Sequence, residues 1–110
     1  MYIFGQHGIL SIVQHRDQPG MLMVRSISRD DLAHYFPGAK IIATPRGDYH
    51  YRVTLPASDV AQVVARCIEG ITYNKFKPSV STDRAPTFFA VWEVMMGLQD
   101  GVLARDKGRF

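Results

Sequence analysis

The sequence has little of what metal, disulfide and membrane chemistry require. Cys67 is the only cysteine, so an intrachain disulfide and a cysteine-built zinc site are both excluded. The four histidines lack the short spacings of metal ligands, so we expect neither a metal nor a cofactor. No apolar run approaches the ~20 residues that cross a bilayer, and the start of the chain lacks the pattern of a signal peptide. We therefore expect a cytoplasmic protein with no membrane association.

Charge of one sign is also scarce. The 13 basic and 10 acidic residues leave a net charge of +3, and 46% of the 110 residues are hydrophobic. Such a composition is typical of one globular domain and not of a disordered chain. The basic residues are scattered except near the C-terminus, so the charge permits nucleic-acid binding without arguing for it. We predict a single α+β domain over residues 1–104, followed by a basic C-terminal tail over residues 105–110.

The tripeptide His15-Arg16-Asp17 matches the catalytic loop of protein kinases, but its surroundings do not. That loop has a metal-binding Asn five residues after the Asp, whereas this chain has Leu22 there and no Gly-rich phosphate loop. The segment 16–20 instead places Asp, Pro and Gly between two strand-like runs, which is typical of a hairpin loop. Asp17 is expected to accept backbone hydrogen bonds in that turn.

The remaining pattern predicts two hairpin–helix units. The first contains the strands "GILSIVQH" and "MLMVRSIS" and a short helix that Ser28 caps and Pro37-Gly38 stops. The second joins "KIIAT" to "YHYRVTL" through a turn over residues 45–48. A helix over about 58–68 follows, and its apolar stripe includes Cys67 as a buried small side chain.

A last helix, from about residue 86 to residue 103, is apolar on more than one side. Such a helix must be buried against the sheet or against another chain. The element order is thus β-β-α, β-β-α and one further helix. It predicts an α+β fold with a four-stranded antiparallel-rich sheet in a permuted ferredoxin-like arrangement, plus an additional C-terminal helix.

Four segments occur in a recognisable order along nearly the whole chain: "GILSIVQHRDQPGMLMVRS", "IIATPRGDYHYRV", "ITYNKFKPSV" and "VWEVMMGLQ". They resemble a family of small uncharacterised proteins of actinobacteria and their phages that has no assigned activity. The matching positions are residues 14–17, 48–49, 51–52, 73 and 76–77. The chain departs from the family at Asn74-Lys75, where the Asn is displaced by one position. The resemblance implies a bacterial or phage-infected host cell.

A first candidate site is a set of polar side chains in predicted loops that can meet at one end of the sheet. Its members are Arg16, Asp48, Tyr49, Arg52, Tyr73 and Lys77. Basic and phenolic groups together can hold a phosphate or a carboxylate. The structural interpretation is that Asp48 pairs with Arg52 or Lys77 and ties the loop to the sheet.

A second candidate site is the sheet face directed away from the helices. In the strand 49–55 the alternation predicts that Tyr49, Tyr51 and Val53 face the helices. The opposite face then carries Met21, Met23, Arg25, His50 and Arg52. Methionine and arginine together suit a protein interface. An RNA-binding sheet would show stacking aromatic side chains there instead.

These surfaces predict three functions in order of preference. The first is a small non-enzymatic protein-interaction or regulatory protein that binds a second copy of itself or, if encoded by a phage, a host protein. The second is a nucleic-acid-binding domain. The third is a small enzyme acting on a phosphorylated substrate. Met23, Arg25 and Arg52 are the binding residues expected on the sheet face.

Overall fold

A computed structural model describes residues 1–101 and divides the chain into two compact units. The first unit, Met1–Thr72, holds the sheet and two helices, and the second begins at Tyr73. The predicted tail over residues 105–110 and the end of the last predicted helix lie outside the described residues. The prediction of one domain stays a prediction.

The first unit is an antiparallel sheet with two helices. Its strands are β1 (Tyr2–Gly5), β2 (Gly8–Gln14), β3 (Met21–Ser26), β4 (Ile42–Ala43) and β5 (Tyr51–Pro56). Its helices are α1 (Arg29–Tyr35) and α2 (Ala57–Glu69). The strand order across the sheet is β1-β2-β3-β5-β4, and every neighbouring pair is antiparallel. The predicted α+β class and antiparallel sheet are confirmed.

The sheet has five strands where the sequence pattern predicts four. The additional strand, β1, pairs antiparallel with β2, and a two-residue connection between Gly5 and Gly8 links the two strands. The sequence carries its signal in "YIFG", because aromatic and β-branched residues followed by a glycine favour a strand entering a tight turn. β1 supplies two exposed aromatic side chains, Tyr2 and Phe4, which the sequence analysis leaves outside every element.

The core lies between one face of the sheet and the two helices. It contains Leu10, Ile12, Val24, Leu32, Tyr35, Phe36, Val53, Val60 and Val63. Ser28 caps α1 as predicted, because its Oγ accepts a hydrogen bond from the Asp31 N–H at 3.3 Å. Gly38, with φ of +79°, follows the end of α1, in agreement with the predicted stop at Pro37-Gly38.

Helix α2 departs from its predicted burial in its second half. Val60 and Val63 are buried and Val64 packs against the core, but Cys67 and Ile68 are exposed. The helix begins directly where β5 ends, and its buried side chains lie between Ala57 and Val63. The prediction of a buried Cys67 is therefore wrong, because the apolar stripe of α2 is longer than the surface it covers.

The β1–β2 turn is held against α1 by side chains of that helix. The Tyr35 hydroxyl donates to the Gly8 carbonyl at 3.1 Å. The carboxylate of Asp31, itself buried, fills the space where Gly8 lacks a Cβ. The ring of His34 lies 4.0 Å from that of His7, centroid to centroid. α1 therefore fixes the hairpin that carries Tyr2 and Phe4.

The described part of the second unit contains a short 3-10 turn, Lys77–Ser79, and a helix, α3 (Ala85–Gln99). Phe88 of α3 is buried, and Phe76 packs edge-on against it with ring centroids 5.3 Å apart. Tyr73 adds a third ring, 6.0 Å from that of Phe76. These aromatic contacts tie the connection after α2 to the helix.

Candidate functional site

The candidate site lies on the sheet face opposite to the core, which we call the outer face. Tyr2, Ser11, Arg25 and Arg52 are neighbours in β1, β2, β3 and β5, as the register of the three strand pairs shows. Side chains alternate along a strand, and the flanking Val24 is in the core. The four side chains therefore form one row across the outer face.

Arg25 is at the centre of this row and is held on two sides. Its Nη2 donates to Ser11 Oγ at 2.7 Å, and its guanidinium carbon lies 4.7 Å from the ring centroid of Tyr49. Its Nε is buried and has no hydrogen-bond partner. A cation stacked on an aromatic ring gains about 0.5–1 kcal/mol at an exposed site. The side chain is thus fixed in place before any ligand arrives.

Arg52 is held by an equally dense set of contacts. Nε donates to Thr44 Oγ1 at 3.2 Å, Nη1 to Met23 Sδ at 3.3 Å, and Nη2 to Asp48 Oδ1 at 3.0 Å. Arg52, and not Lys77, is thus the predicted partner that forms the structural ion pair with Asp48. Because the carboxylate is 70% exposed, solvent screens this pair.

The loop between β4 and β5 places Tyr49 on the outer face. Thr44 Oγ1 donates to the Tyr49 carbonyl at 2.6 Å, and the Tyr49 N–H donates to Asp48 Oδ1 at 2.9 Å. The predicted strand 49–55 begins only at Tyr51, so Tyr49 does not follow its alternation. Tyr51 and Val53 face the core as predicted, but the prediction that Tyr49 does so is wrong.

Tyr2 extends the site toward β1, the strand that the sequence pattern does not predict. The Tyr49 hydroxyl donates to the Tyr2 hydroxyl at 3.2 Å, joining the edge of the sheet to the β4–β5 loop. This neighbour raises the pKa of Tyr2 above its ordinary value of 10.0. The first cause is the side-chain hydrogen bond with Tyr49, and the second is repulsion between two adjacent phenolates.

The structure brings together five of the eight predicted binding residues. They are Met23, Arg25, Asp48, Tyr49 and Arg52. Arg16 lies elsewhere, exposed in the β2–β3 turn. In that turn His15 Nδ1 accepts a hydrogen bond from the Asp17 N–H at 3.0 Å. His15 thus has the hydrogen-bonding role predicted for Asp17.

The other two predicted residues, Tyr73 and Lys77, belong to the second unit. Lys77 Nζ lies 4.0 Å from the ring centroid of Trp92 and 4.9 Å from that of Phe89. Within its own unit Lys77 is therefore engaged with the aromatic rings of α3. Of the six polar residues predicted to form a loop site, three therefore lie on the outer face of the first unit, Arg16 lies in its β2–β3 turn, and two belong to the second unit.

The residues that sequence reasoning misses are Tyr2, Phe4, Ser11 and Thr44. Tyr2 is 61% exposed and Phe4 40% exposed, with ring centroids 6.4 Å apart. Alternation along "GILSIVQ" could have placed Ser11 opposite the core side chains Leu10 and Ile12. No signal in the sequence predicts the role of Thr44, because it depends on the path of the β4–β5 loop.

The outer face has the chemistry of a binding surface. Its polar groups hold Arg25 and Arg52, and exposed aromatic side chains flank them. Within the described residues, no three His, Cys, Asp or Glu side chains come together in a way that could hold a metal ion. Between residues 1 and 101, no helix is both long and apolar enough to cross a membrane.

No family model, no curated protein and no solved structure matches the chain. The resemblance to actinobacterial and phage proteins stays a prediction.

Proposed function

We propose that this protein is a small non-enzymatic interaction protein of the cytoplasm that binds a partner protein through the outer face. The single observation that carries the proposal is the placement of Arg25 between Ser11 and the ring of Tyr49. An arginine fixed in its bound orientation loses little conformational entropy on binding. Tyrosine and arginine are also the side chains enriched at the energetic centres of protein interfaces.

The flanking side chains support a protein partner. Tyr2 and Phe4 are exposed on one side of Arg25, and Met23 contacts Arg52 on the other. Aromatic residues, Met and Arg are enriched in the cores of protein interfaces. A partner that fits this face has apolar side chains opposite the aromatic rings and carboxylates opposite the two guanidinium groups. An acidic protein surface, encoded by the host if this protein comes from a phage, is the proposed ligand.

The contacts also support a non-enzymatic role. Ser11 Oγ accepts from Arg25, and Asp48 and Thr44 accept from Arg52. These are the groups on the face that could otherwise act as a nucleophile or a base. Each is used to orient an arginine. The third prediction is an enzyme acting on a phosphorylated substrate, and no contact in this arrangement specifically supports it.

A nucleic-acid ligand is the second candidate, and one observation favours it. The strand alternation predicts no aromatic side chain on this face, whereas Tyr2, Phe4 and Tyr49 all contribute to it. RNA-binding sheets use such exposed rings to stack bases beside basic side chains. However, one of the three rings is already stacked on Arg25.

Variants on the face and a matched set elsewhere test the proposal. Met23→Asp introduces a charge beside Arg52, and Arg25→Ala removes the fixed guanidinium. Gln62→Asp and Arg66→Ala make the same kinds of change at exposed positions of α2. The wild-type chain is used to capture proteins from a nuclease-treated host lysate, and the captured proteins are identified. The affinity of the purified partner is then measured for the wild type and for all four variants.

We expect a partner protein whose affinity falls at least tenfold with Met23→Asp and Arg25→Ala and is unchanged with the α2 variants. Equal affinity for all variants would contradict the assignment of this face. Binding of labelled RNA or DNA that Arg25→Ala weakens, with a steep dependence on salt, would replace the protein partner by the nucleic-acid candidate.

The permuted ferredoxin-like arrangement is proposed for the sheet as well. The order β2-β3-β5-β4, all antiparallel, with α1 after β3 and α2 after β5, supports it. In this view β1 is an additional edge strand. An experimental structure with another order of the four central strands would contradict the proposal.

A further inference from the structure

We infer that this protein forms a homodimer through the apolar surface of α3, independently of the outer face. Five large apolar side chains of this helix are exposed, and together we call them the α3 patch. They are Phe89 (45% exposed), Trp92 (39%), Val94 (61%), Met95 (52%) and Leu98 (47%). No other helix of the described residues exposes as many.

The patch has the character of a buried surface. At ~100° per residue, its five members are spread over more than half of the helix circumference. α3 contains one charged residue, Glu93, among its 15 residues. A surface helix of a monomer has a polar face toward water, and a helix that is apolar nearly all round is normally covered.

The distribution of charge selects a second copy as the cover. A membrane surface attracts helices with a Lys- and Arg-rich polar face, and α3 has neither residue type between Ala85 and Gln99. A strongly charged partner would find only single charges of opposite sign at the rim of the patch, either Lys77, which lies over Trp92, or Glu93. A nearly neutral apolar surface can instead meet its own copy across a two-fold axis without like-charge repulsion.

The size of the patch agrees with what a dimer needs. Its exposed side chains present on the order of 400–500 Å² per chain, since a whole aromatic side chain buries ~150–250 Å². A stable interface covers about 800 Å² per partner, of which a little more than half is apolar. The patch therefore supplies the apolar centre of such an interface, and polar neighbours such as Lys77, Thr87 and Glu93 supply its rim.

Trp92 is the only tryptophan, so the chain carries its own probe of this surface. Tryptophan emission of the full chain is recorded over a concentration series, together with the molar mass from light scattering. Met95→Glu places a charge in the patch. Ala90→Glu places the same charge at an exposed position of the same helix, within the arc that holds none of the five patch residues and one turn from Val94 at the patch margin. Circular dichroism and thermal melting establish that both variants are folded.

We expect wild type and Ala90→Glu to have twice the monomer mass, with Trp92 emission that shifts to shorter wavelength and is less quenched by acrylamide as concentration rises. Met95→Glu is expected to stay monomeric, with no shift. Met23→Asp should still dimerise, which separates this inference from the proposed function. A wild-type monomer at the highest soluble concentration, or a dimer that Met95→Glu leaves intact, would overturn the inference. If Met95→Glu fails to fold, Leu98→Glu takes its place in the same comparison.

Discussion

The guanidinium carbon of Arg25 lies 4.7 Å above the ring of Tyr49, although the two residues are 24 positions apart in the chain. The contact joins the middle of β3 to the loop before β5. Because the arginine also donates to Ser11 in β2, it connects three segments of the sheet on its outer face. Removing either partner should therefore affect both stability and binding.

Replacement of Tyr49 separates the ring from its hydroxyl. Tyr49→Phe keeps the stacked ring, so we expect a loss of less than ~1 kcal/mol in unfolding free energy. Tyr49→Ala removes the ring and should cost about 1–2 kcal/mol. Urea unfolding measures both, and hydrogen exchange of the Arg25 Nε proton should accelerate only in Tyr49→Ala. Equal exchange in the two variants would show that the ring does not hold Arg25.

The raised pKa of Tyr2 predicts a loss of stability at high pH. The folded chain keeps the Tyr2 proton to a higher pH than the unfolded chain does. The stabilisation of the folded chain by the protonated Tyr2 is therefore complete below the ordinary pKa of 10.0 and is lost as pH rises through the folded pKa. Tyr49→Phe removes both main causes, so the Tyr2 pKa should move down toward 10.0. NMR titration of labelled tyrosine Cζ checks this, and an unmoved Tyr2 resonance in the variant would contradict it.

Position 8 requires a glycine because of its backbone conformation and because of the neighbouring Asp31 side chain. Its φ of +137° disfavours any side chain, and an added Cβ would overlap the buried carboxylate of Asp31. Gly8→Ala should lower the unfolding free energy by about 3 kcal/mol or more. Gly20→Ala is the control, because Gly20 has φ of +77° with open space around it and should cost only ~1–2 kcal/mol. Equal losses would mean that Asp31 does not fill the Gly8 site.

The exposed ion pair between Asp48 and Arg52 should contribute little to stability. Asp48→Asn keeps the acceptor oxygen for the Tyr49 N–H while removing the charge. We expect a change of less than ~1 kcal/mol in thermal or urea unfolding. Affinity for an acidic partner should rise, because Arg52 gains a free charge. A lower affinity would indicate that Asp48 itself contacts the partner.

Leu32 tests the placement of α1 on the sheet. The side chain is fully buried in the core cluster, so Leu32→Ala should cost about 2–5 kcal/mol. Ile27 lies just before the same helix and is 65% exposed, so Ile27→Ala should change stability by less than ~0.5 kcal/mol. Urea unfolding of the two variants gives the comparison. Similar losses of unfolding free energy in both variants would show that α1 does not pack on the sheet through Leu32.

The sequence by itself determined most of the local elements of this protein, with β1 as the exception. β-branched runs predict β2, β3 and most of β5, and Ser28 and Pro37-Gly38 predict both ends of α1. These signals are readable because alternation, capping and helix stops involve residues close together in the chain. The ends of the elements are shifted by a few residues. The structure ends α3 at Gln99, and the predicted end at residue 103 lies outside the described residues.

Only the tertiary structure decided which side chains share the outer face. Tyr2, Ser11, Arg25 and Arg52 become neighbours through three strand pairings, and Tyr49 joins them because the β4–β5 loop breaks the alternation of its strand. A shift of one residue in any pairing would turn a strand's side chains to the other face. Pairing depends on contacts between distant segments, so no local pattern in the sequence contains it. The exposure of Cys67 has the same origin, because the length of α2 is a local property and the extent of the surface beneath it is not.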